Sequence, residues 1–336
     1  MKRTTQKEGV ELKKNQAVIF PRVRCAELID VAGPPAPAAN EILGRTLYST
    51  VSSGSECGGY MNYYGGEVYP KPTGYAGVME VEAVGSEVVR LRPGDRVFAQ
   101  TPHQLYNLAA ESECVPVPDA LAPERAVLCR FPAVSMPTMI ETSVRPTEPV
   151  LVAGLGIIGL SCAQMMLKCG YDIYAVDSVD RRRETANRCG VARTFSSFDA
   201  LPAGISFGLS IDCTGNDAAV FAQAGLLRKG GELSLVGVPW RQTSDVSLNA
   251  FMRVVFNGFL RIKSGWEWSL PLHSSDFLPN SSFHSFAKAM QWIAEGSLRF
   301  DGAYRLYSPR DCSEVYEAIA TGTLPCTCAV YDWAEI

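Results

Sequence analysis

The sequence predicts an α/β chain in two parts, a β-rich region of many turns followed by a doubly wound parallel sheet. Three observations predict it. From residue 16 to about 118, short apolar runs are broken by Gly and Pro, the pattern of short strands joined by turns. Past residue 150, strand-like runs at 150–153, 171–177, 206–212 and 232–238 alternate with helix-like stretches near 157–169, 180–189 and 216–228, as in parallel strands with crossover helices. At the junction stands Val150-Leu151-Val152-Ala153-Gly154-Leu155-Gly156-Ile157-Ile158-Gly159, and the next apolar run ends on Asp177.

That junction reads as strand, tight turn, helix and second strand, the unit of a Rossmann half. Gly154 permits the turn, Gly156 lets backbone approach a pyrophosphate, and Gly159 lets helix and strand pack closely. Asp177, with Ser178 beside it, is placed to accept hydrogen bonds from the adenosine ribose. A carboxylate there repels a 2′-phosphate, so NAD(H) is favoured over NADP(H). Arg181-Arg182-Arg183 raises the opposite reading, since arginine after the second strand often grips that phosphate; the triplet equally suits a solvated helix start.

The remaining elements follow in order. Pro93-Gly94-Asp95 reads as a turn joining two strands. Residues 116–123 read as a loop, and 124–142 as a helical connection interrupted by Pro132 and Pro137. After Gly237 come 251–262, the tryptophan-bearing 264–268 and a polar loop at 273–282. Two helix-like stretches, 283–295 and 311–321, precede a last strand around 326–333.

At 336 residues the chain is long for one core. A net charge of −4 and the lack of any long Lys/Arg run argue against nucleic acid or an anionic membrane as partner. No apolar run is long enough to span a bilayer, and residues 1–15 are a polar extension without an apolar signal region. The eleven cysteines are scattered and often lie in apolar runs, as with Cys162, Cys169 and Cys213. They read as reduced, buried thiols of a cytoplasmic protein. Cys326 and Cys328 are too close for a zinc knuckle and suit a terminal strand.

These residues, from about 16 to the end, resemble the medium-chain dehydrogenase/reductases. The resemblance rests on Gly77-Val78 through Val84-Gly85, the Leu91-Arg92-Pro93-Gly94-Asp95-Arg96-Val97-Phe98 segment and the glycine loop with Asp177. Cys213-Thr214-Gly215 and Lys229-Gly230-Gly231 leading to Val236-Gly237 add to it. It implies a GroES-like catalytic domain over 16–130, a Rossmann domain over 131–270 and a return to the first domain over 271–336. It also implies cofactor contacts at Gly154, Leu155, Gly156, Ile157, Ile158, Gly159, Asp177, Ser178, Arg182, Cys213, Thr214, Gly215, Val236, Gly237 and Ser264. A homodimer paired through the strand near 255–265 is the family expectation. Residues 48–56 and Thr101-Pro102-His103 look most like the zinc-lacking branch that includes the bacteriochlorophyllide dehydrogenases.

Departures from the zinc pattern shape the expected chemistry. Zinc-dependent members carry Cys-Gly-x-Asp and Gly-His-Glu, where this chain has Ser53-Gly54-Ser55-Glu56 and Gly74-Tyr75-Ala76. The third-ligand region around Phe131-Pro132 offers no ligand, although Cys129 is nearby. The four-cysteine structural lobe is reduced to Cys114. No catalytic or structural zinc is expected.

Without a metal, side chains must handle the proton. Tyr64 and Tyr75 are the first candidates, Tyr64 slightly ahead because enoyl-reductase relatives place a tyrosine near that spacing. Ser53, Glu56 and His103 are further ones, His103 being aligned with the family's cleft-side segment. Tyr60 and Tyr63 share the 58–66 loop that borders the substrate cleft in the family, and Arg130 is a candidate for an anionic substrate group or a structural ion pair. Trp266 and Trp268 either wall a ring-shaped substrate or sit at a subunit interface; His273 and His284 suit surface or capping roles. The expected function is hydride transfer between NAD(H) and an alcohol or ketone of a small or medium polar molecule, such as a cyclic polyol, sugar or biosynthetic intermediate. The alternatives are an enoyl or quinone reductase and a nucleotide-binding protein without catalysis.

Overall fold

The computed structural model describes residues 14–336. Residues 1–13 of the expected extension lie outside the described residues, while Asn15 already opens the buried strand Asn15–Arg22. Six strands form one parallel sheet: Pro149–Ala153, Asp172–Val176, Thr194–Phe195, Phe207–Asp212, Leu227–Leu235 and Arg261–Ser264. Counted along the chain, their order across the sheet is 3-2-1-4-5-6, the doubly wound order with a switch point beside the first strand. Four of the five residues of Pro149–Ala153 are buried, as a central strand covered on both faces requires.

Two helices of this half start where side chains supply caps. Asn216 accepts the amide of Ala219 at the start of Asp217–Gly225, and Ser247 accepts that of Ala250 at the start of Leu248–Gly258. Ile157–Lys168 is apolar on most sides, because it packs between the sheet and the helix Arg130–Glu141. The latter runs without a break, in contrast to the interruption the sequence suggests. Pro132 lies in its first turn, where an amide would be unpaired anyway, and Pro137 sits within a stretch that is buried from Arg130 through Thr138. Packing on that scale outweighs one lost helical hydrogen bond.

The other half is antiparallel except for one parallel pair, Tyr304–Tyr307 with Cys328–Asp332. A seven-stranded sheet has Glu41–Thr50 between Gly77–Val84 and the carboxy-terminal strand Cys328–Asp332. A three-stranded sheet holds Asn15–Arg22 between Cys25–Val31 and Lys71–Pro72. The end of the chain therefore completes the sheet begun near its start. Gly94, with φ 91°, makes the turn between Gly77–Val84 and Arg96–Ala99. One apolar cluster extends from Val78 and Phe98 through Phe131 and Met136 to Val152 and Leu160, so the two halves share a core. All eleven cysteines are unpaired. Among the described residues no helix is long and apolar enough to cross a membrane.

Candidate active site

A cavity of about 1070 Å³ lies between the halves, along the carboxyl ends of the parallel strands. Its floor is the glycine turn. Gly154 has φ 87°, and a Cβ on Gly159 would sit 1.6 Å from the Gly154 carbonyl oxygen, so neither accepts a side chain without displacement. Gly156, the N-cap of Ile157–Lys168, faces open space. Free amides at that helix start lie on the cavity wall, a site suited to phosphate.

Gly154, Gly156, Ile157, Ile158, Gly159, Asp177, Ser178, Arg182, Cys213, Thr214, Val236 and Gly237 all line this cavity. Leu155 does not; its amide donates to Asp177 Oδ2 at 2.7 Å, which braces the acid against the loop. Gly215 lies just behind the wall, with φ 63° and Val238 O only 2.1 Å from where its Cβ would be. Ser264 is exposed on the edge strand, away from the cavity. Asp177 Oδ1 accepts the Val179 amide, and Arg182 Nη1 stands 3.5 Å from Oδ2. The arginine triplet splits: Arg181 donates to Leu324 O and Arg183 to Asp177 O. Only Arg182 of the three lines the cavity.

At the opposite end the wall is formed by Ser52 to Ser55, Tyr75, Gln100, Arg130, Val134, Trp240 and the segment 266–268. Ser53 opens the helix Ser53–Met61. That helix replaces the expected loop and relocates three of its tyrosines. Tyr60 falls on the buried face, packs on Phe20 and Tyr316 and donates to Glu317 at 3.1 Å; burial pushes its hydroxyl up to about 12. Tyr64 lies beyond the left-handed cap at Asn62, 66% exposed, and donates to Pro239 O. Tyr63 lies beside Trp240 and Arg241. None of the three lines the cavity; the helix turns Tyr60 to its buried face, and Tyr63 and Tyr64 follow its left-handed cap at Asn62.

Glu56 and His103 are also brought together, but behind the wall. Glu56 accepts the Ser52 amide at 2.7 Å and the Tyr316 hydroxyl, while His103 Nε2 stands 3.2 Å from Glu56 Oε2 without hydrogen-bond alignment. His103 Nδ1 pairs with Ser49 Oγ at 2.8 Å, and Trp333 Nε1 donates to the same oxygen. His103 is fully buried and does not reach the cleft side where the resemblance put it, because Gly74, at φ 79°, lets its ring tuck against the backbone. His273 packs on Phe283 and His284 caps near Pro279.

Several lining residues escaped the sequence reading, among them Val134, Ser196 to Phe198, Trp240, Gln100 and Glu267. Trp240 sits in a loop after the fifth parallel strand, without a motif to announce it. Gln100 follows a strand end. Glu267 lies inside the tryptophan segment and forms a buried ion pair with Arg130; no sequence spacing connects residues so far apart. Arg130 is therefore a neutralised cation rather than a free anion receptor. Tyr75 lies over its guanidinium, 4.7 Å from Cζ to ring centroid. Trp266 donates to Val236 O at 2.9 Å, and Trp268 borders the opening at 69% exposure.

This donor set does not fit a zinc ion. Hydroxyls of Ser53 and Tyr75 are poor substitutes for thiolate and imidazole. Among the described residues no three His, Cys, Asp or Glu side chains are grouped to hold a metal.

Residues 154–274 match the family model described as zinc-binding dehydrogenase. Sorbitol dehydrogenase of Homo sapiens is 25% identical over 291 residues, which cover 72% of this chain and 80% of that protein. A quinone oxidoreductase of Pseudomonas aeruginosa is 31% identical over 144 residues, 39% of this chain and 44% of that protein. The crystal structure of galactitol-1-phosphate dehydrogenase from Escherichia coli shares the fold with a TM-score of 0.79 at 17% identity, covering 94% of this chain and 99% of that one. The chain shares the fold of this dehydrogenase.

Proposed function

We propose that this protein is a zinc-independent oxidoreductase that moves a hydride between NAD(H) and the carbinol or carbonyl carbon of a small or medium polar molecule. One observation carries the reading: a single cavity joins the glycine turn and Asp177 to a polar wall of Ser53, Tyr75, Arg130 and Glu267. The bound nicotinamide supplies the hydride acceptor or donor. Val236, Gly237 and Trp266 flank its expected place, and the apolar wall there excludes water from the transfer. Ser53 Oγ and Tyr75 Oη are hydroxyls of that wall; as an alcohol is oxidised one of them would accept the substrate's proton while releasing its own through the cavity mouth to solvent, and as a ketone is reduced the relay would run in reverse. NAD(H) is preferred because Asp177 places a carboxylate at the ribose position, with Arg182 only partly offsetting it.

Turnover of a panel of polyols, sugars and ketones with NADH and NADPH, on protein assayed for metal, tests the reading. Activity without stoichiometric metal is expected; loss of activity on chelation, regained with zinc, refutes zinc independence. The match to a quinone oxidoreductase favours a second reading, hydride delivery to a quinone or a C=C bond, which a saturated or quinol product would reveal. Tight NADH binding without turnover of any panel member would leave a nucleotide-binding protein. A homodimer is proposed through the edge strand Arg261–Ser264, beside which Leu248, Met252, Phe256 and Phe259 are exposed. The proposed compartment is the cytoplasm.

A further inference from the structure

The helix Ser53–Met61 gives the cavity four consecutive lining residues at its first turn, Ser52, Ser53, Gly54 and Ser55. The local sequence holds that turn weakly, since Gly54, Gly58 and Gly59 disfavour a helix and the N-cap Ser52 makes no side-chain cap. Glu56 closes it instead. Its amide donates to Ser52 O at 2.9 Å, and its carboxylate Oε1 accepts the Ser52 amide at 2.7 Å. These two bonds tie residues 52 and 56 into a ring that contains the lining residues, while Glu56 itself stands behind the wall.

The carboxylate meets groups from remote parts of the chain. Glu56 is buried, and its Oε2 accepts the hydroxyl of Tyr316 on the helix Cys312–Ala320 and faces His103 Nε2 at 3.2 Å. Oε1 is left for the Ser52 amide, and the negative group sits in the first helical turn, where the helix dipole favours it. From the other half of the molecule, Trp240 Nε1 holds Gly54 O. Ser53 lies between these two holds, so its hydroxyl moves when the Ser52 bond is cut. Reaction rates are sensitive to such placement, a shift of about 1 Å costing up to about a hundredfold.

We infer that Glu56 is a positioning residue: through the Ser52 amide, its carboxylate sets the turn that presents the Ser53 hydroxyl to the substrate. This rests on the oxidoreductase reading above and deepens it, by naming the buried group that fixes one of the two wall hydroxyls.

The test measures NADH-dependent reduction of a ketone panel that includes cyclohexanone and butane-2,3-dione. Glu56→Ala should lose about tenfold or more in kcat, with NADH affinity unchanged in a fluorescence titration. Glu56→Gln keeps an acceptor oxygen for the Ser52 amide and should recover most of that loss. Tyr316→Phe removes the bond to the other oxygen and lowers the thermal midpoint, but it leaves Oε1 on Ser52 and should keep the parent kcat, which separates placement from stability. In a Ser53→Ala background, Glu56→Ala should add little further loss, because both changes act on one hydroxyl. If Glu56→Ala fails to fold, Ser52→Pro cuts the bond at its donor, since proline lacks the amide and the Ser52 φ of −83° lies near the proline value; read against Ser52→Ala, it should show the same loss. Amide hydrogen exchange at Ser52, read by mass spectrometry with backbone fragmentation, should quicken in Glu56→Ala and not in Tyr316→Phe. A parent kcat in Glu56→Ala or Ser52→Pro, an equal loss in Tyr316→Phe, additive losses with Ser53→Ala, or unchanged Ser52 exchange overturns the role while leaving the oxidoreductase reading intact. Parent protein that binds NADH and reduces no member of the panel overturns that reading and the role with it, even where Ser52 exchange quickens as expected.

Discussion

Trp240 Nε1 donates a 2.9 Å hydrogen bond to the carbonyl oxygen of Gly54, fastening the loop after the fifth parallel strand to the first turn of the helix Ser53–Met61. The indole fits because residue 58 is glycine; a Cβ there would stand 2.3 Å from the ring. Both ends of the contact line the cavity, so the two halves are tied together at the wall of the cavity proposed to hold cofactor and substrate.

Gly58→Ala must displace the Trp240 ring, and Trp240→Ala removes it. A displaced packing contact costs about 1–3 kcal/mol, and each 1.4 kcal/mol is about tenfold. Both variants should lose about tenfold or more in kcat/KM with a smaller change in NADH affinity. Steady-state kinetics beside a fluorescence titration with NADH checks this; normal kinetics for Gly58→Ala would deny the tie a role.

Gly159→Ala drives a methyl into the Gly154 carbonyl. The turn must open, and NADH affinity should fall at least about tenfold on the same cost scale. A titration showing the parent affinity, in a protein with unchanged circular dichroism, would mean that the turn does not hold the dinucleotide.

Arg182 is the arginine of its triplet that lines the cavity. Arg182→Ala should therefore lower kcat/KM with NADPH more than with NADH, widening the NADH preference. An equal loss with both cofactors would place the side chain elsewhere in the cycle.

Tyr316→Phe removes the hydroxyl that donates to Glu56 Oε2 and leaves that buried oxygen with only the poorly aligned His103. Stability should drop by about 1–3 kcal/mol, seen as a lower thermal midpoint. NADH affinity should stay unchanged, because none of the network's members Glu56, His103 and Tyr316 lines the cavity.

Asp217 accepts hydrogen bonds from the hydroxyl and amide of Thr243 and of Ser244. These, the Thr243 hydroxyl foremost, hold its carboxyl down at about 2. Its folded value lies below the unfolded one of about 3.9, so the stabilisation is full above pH 4 and is lost as pH falls toward 2. Asp217→Asn should remove that dependence; fluorescence of Trp240 on the same loop, followed from pH 5 to pH 2, should shift with a transition in the parent and not in the variant.

Much of the dinucleotide end was legible in the sequence because its determinants are local. Gly154, Gly156 and Gly159 act within one turn, and the acid that ends the second strand is carried to them by an ordinary crossover. The substrate end was legible only in part. Ser53 and Tyr75 were identified from their motif positions and do line the cavity, but the helix Ser53–Met61 was not anticipated in a segment rich in glycine and tyrosine. The helix buries Tyr60 and its left-handed cap at Asn62 leads Tyr64 outward, which no reading of the segment as a loop could supply.

The chain by itself determined the order of its elements, the glycine turn and the missing thiolate and imidazole at the family's ligand positions, since each depends on periodicity or on residues close in sequence. Tertiary structure alone decided that Arg130 meets Glu267, that His103 turns inward to Ser49 and Glu56, and that Trp240 closes on Gly54. Those pairings join elements far apart along the chain, and they follow from how two halves pack on a shared core. Charge, burial and hydrogen bonding at such contacts are properties of the packed arrangement, so only the folded molecule shows that its most prominent buried cation is already half answered by a carboxylate.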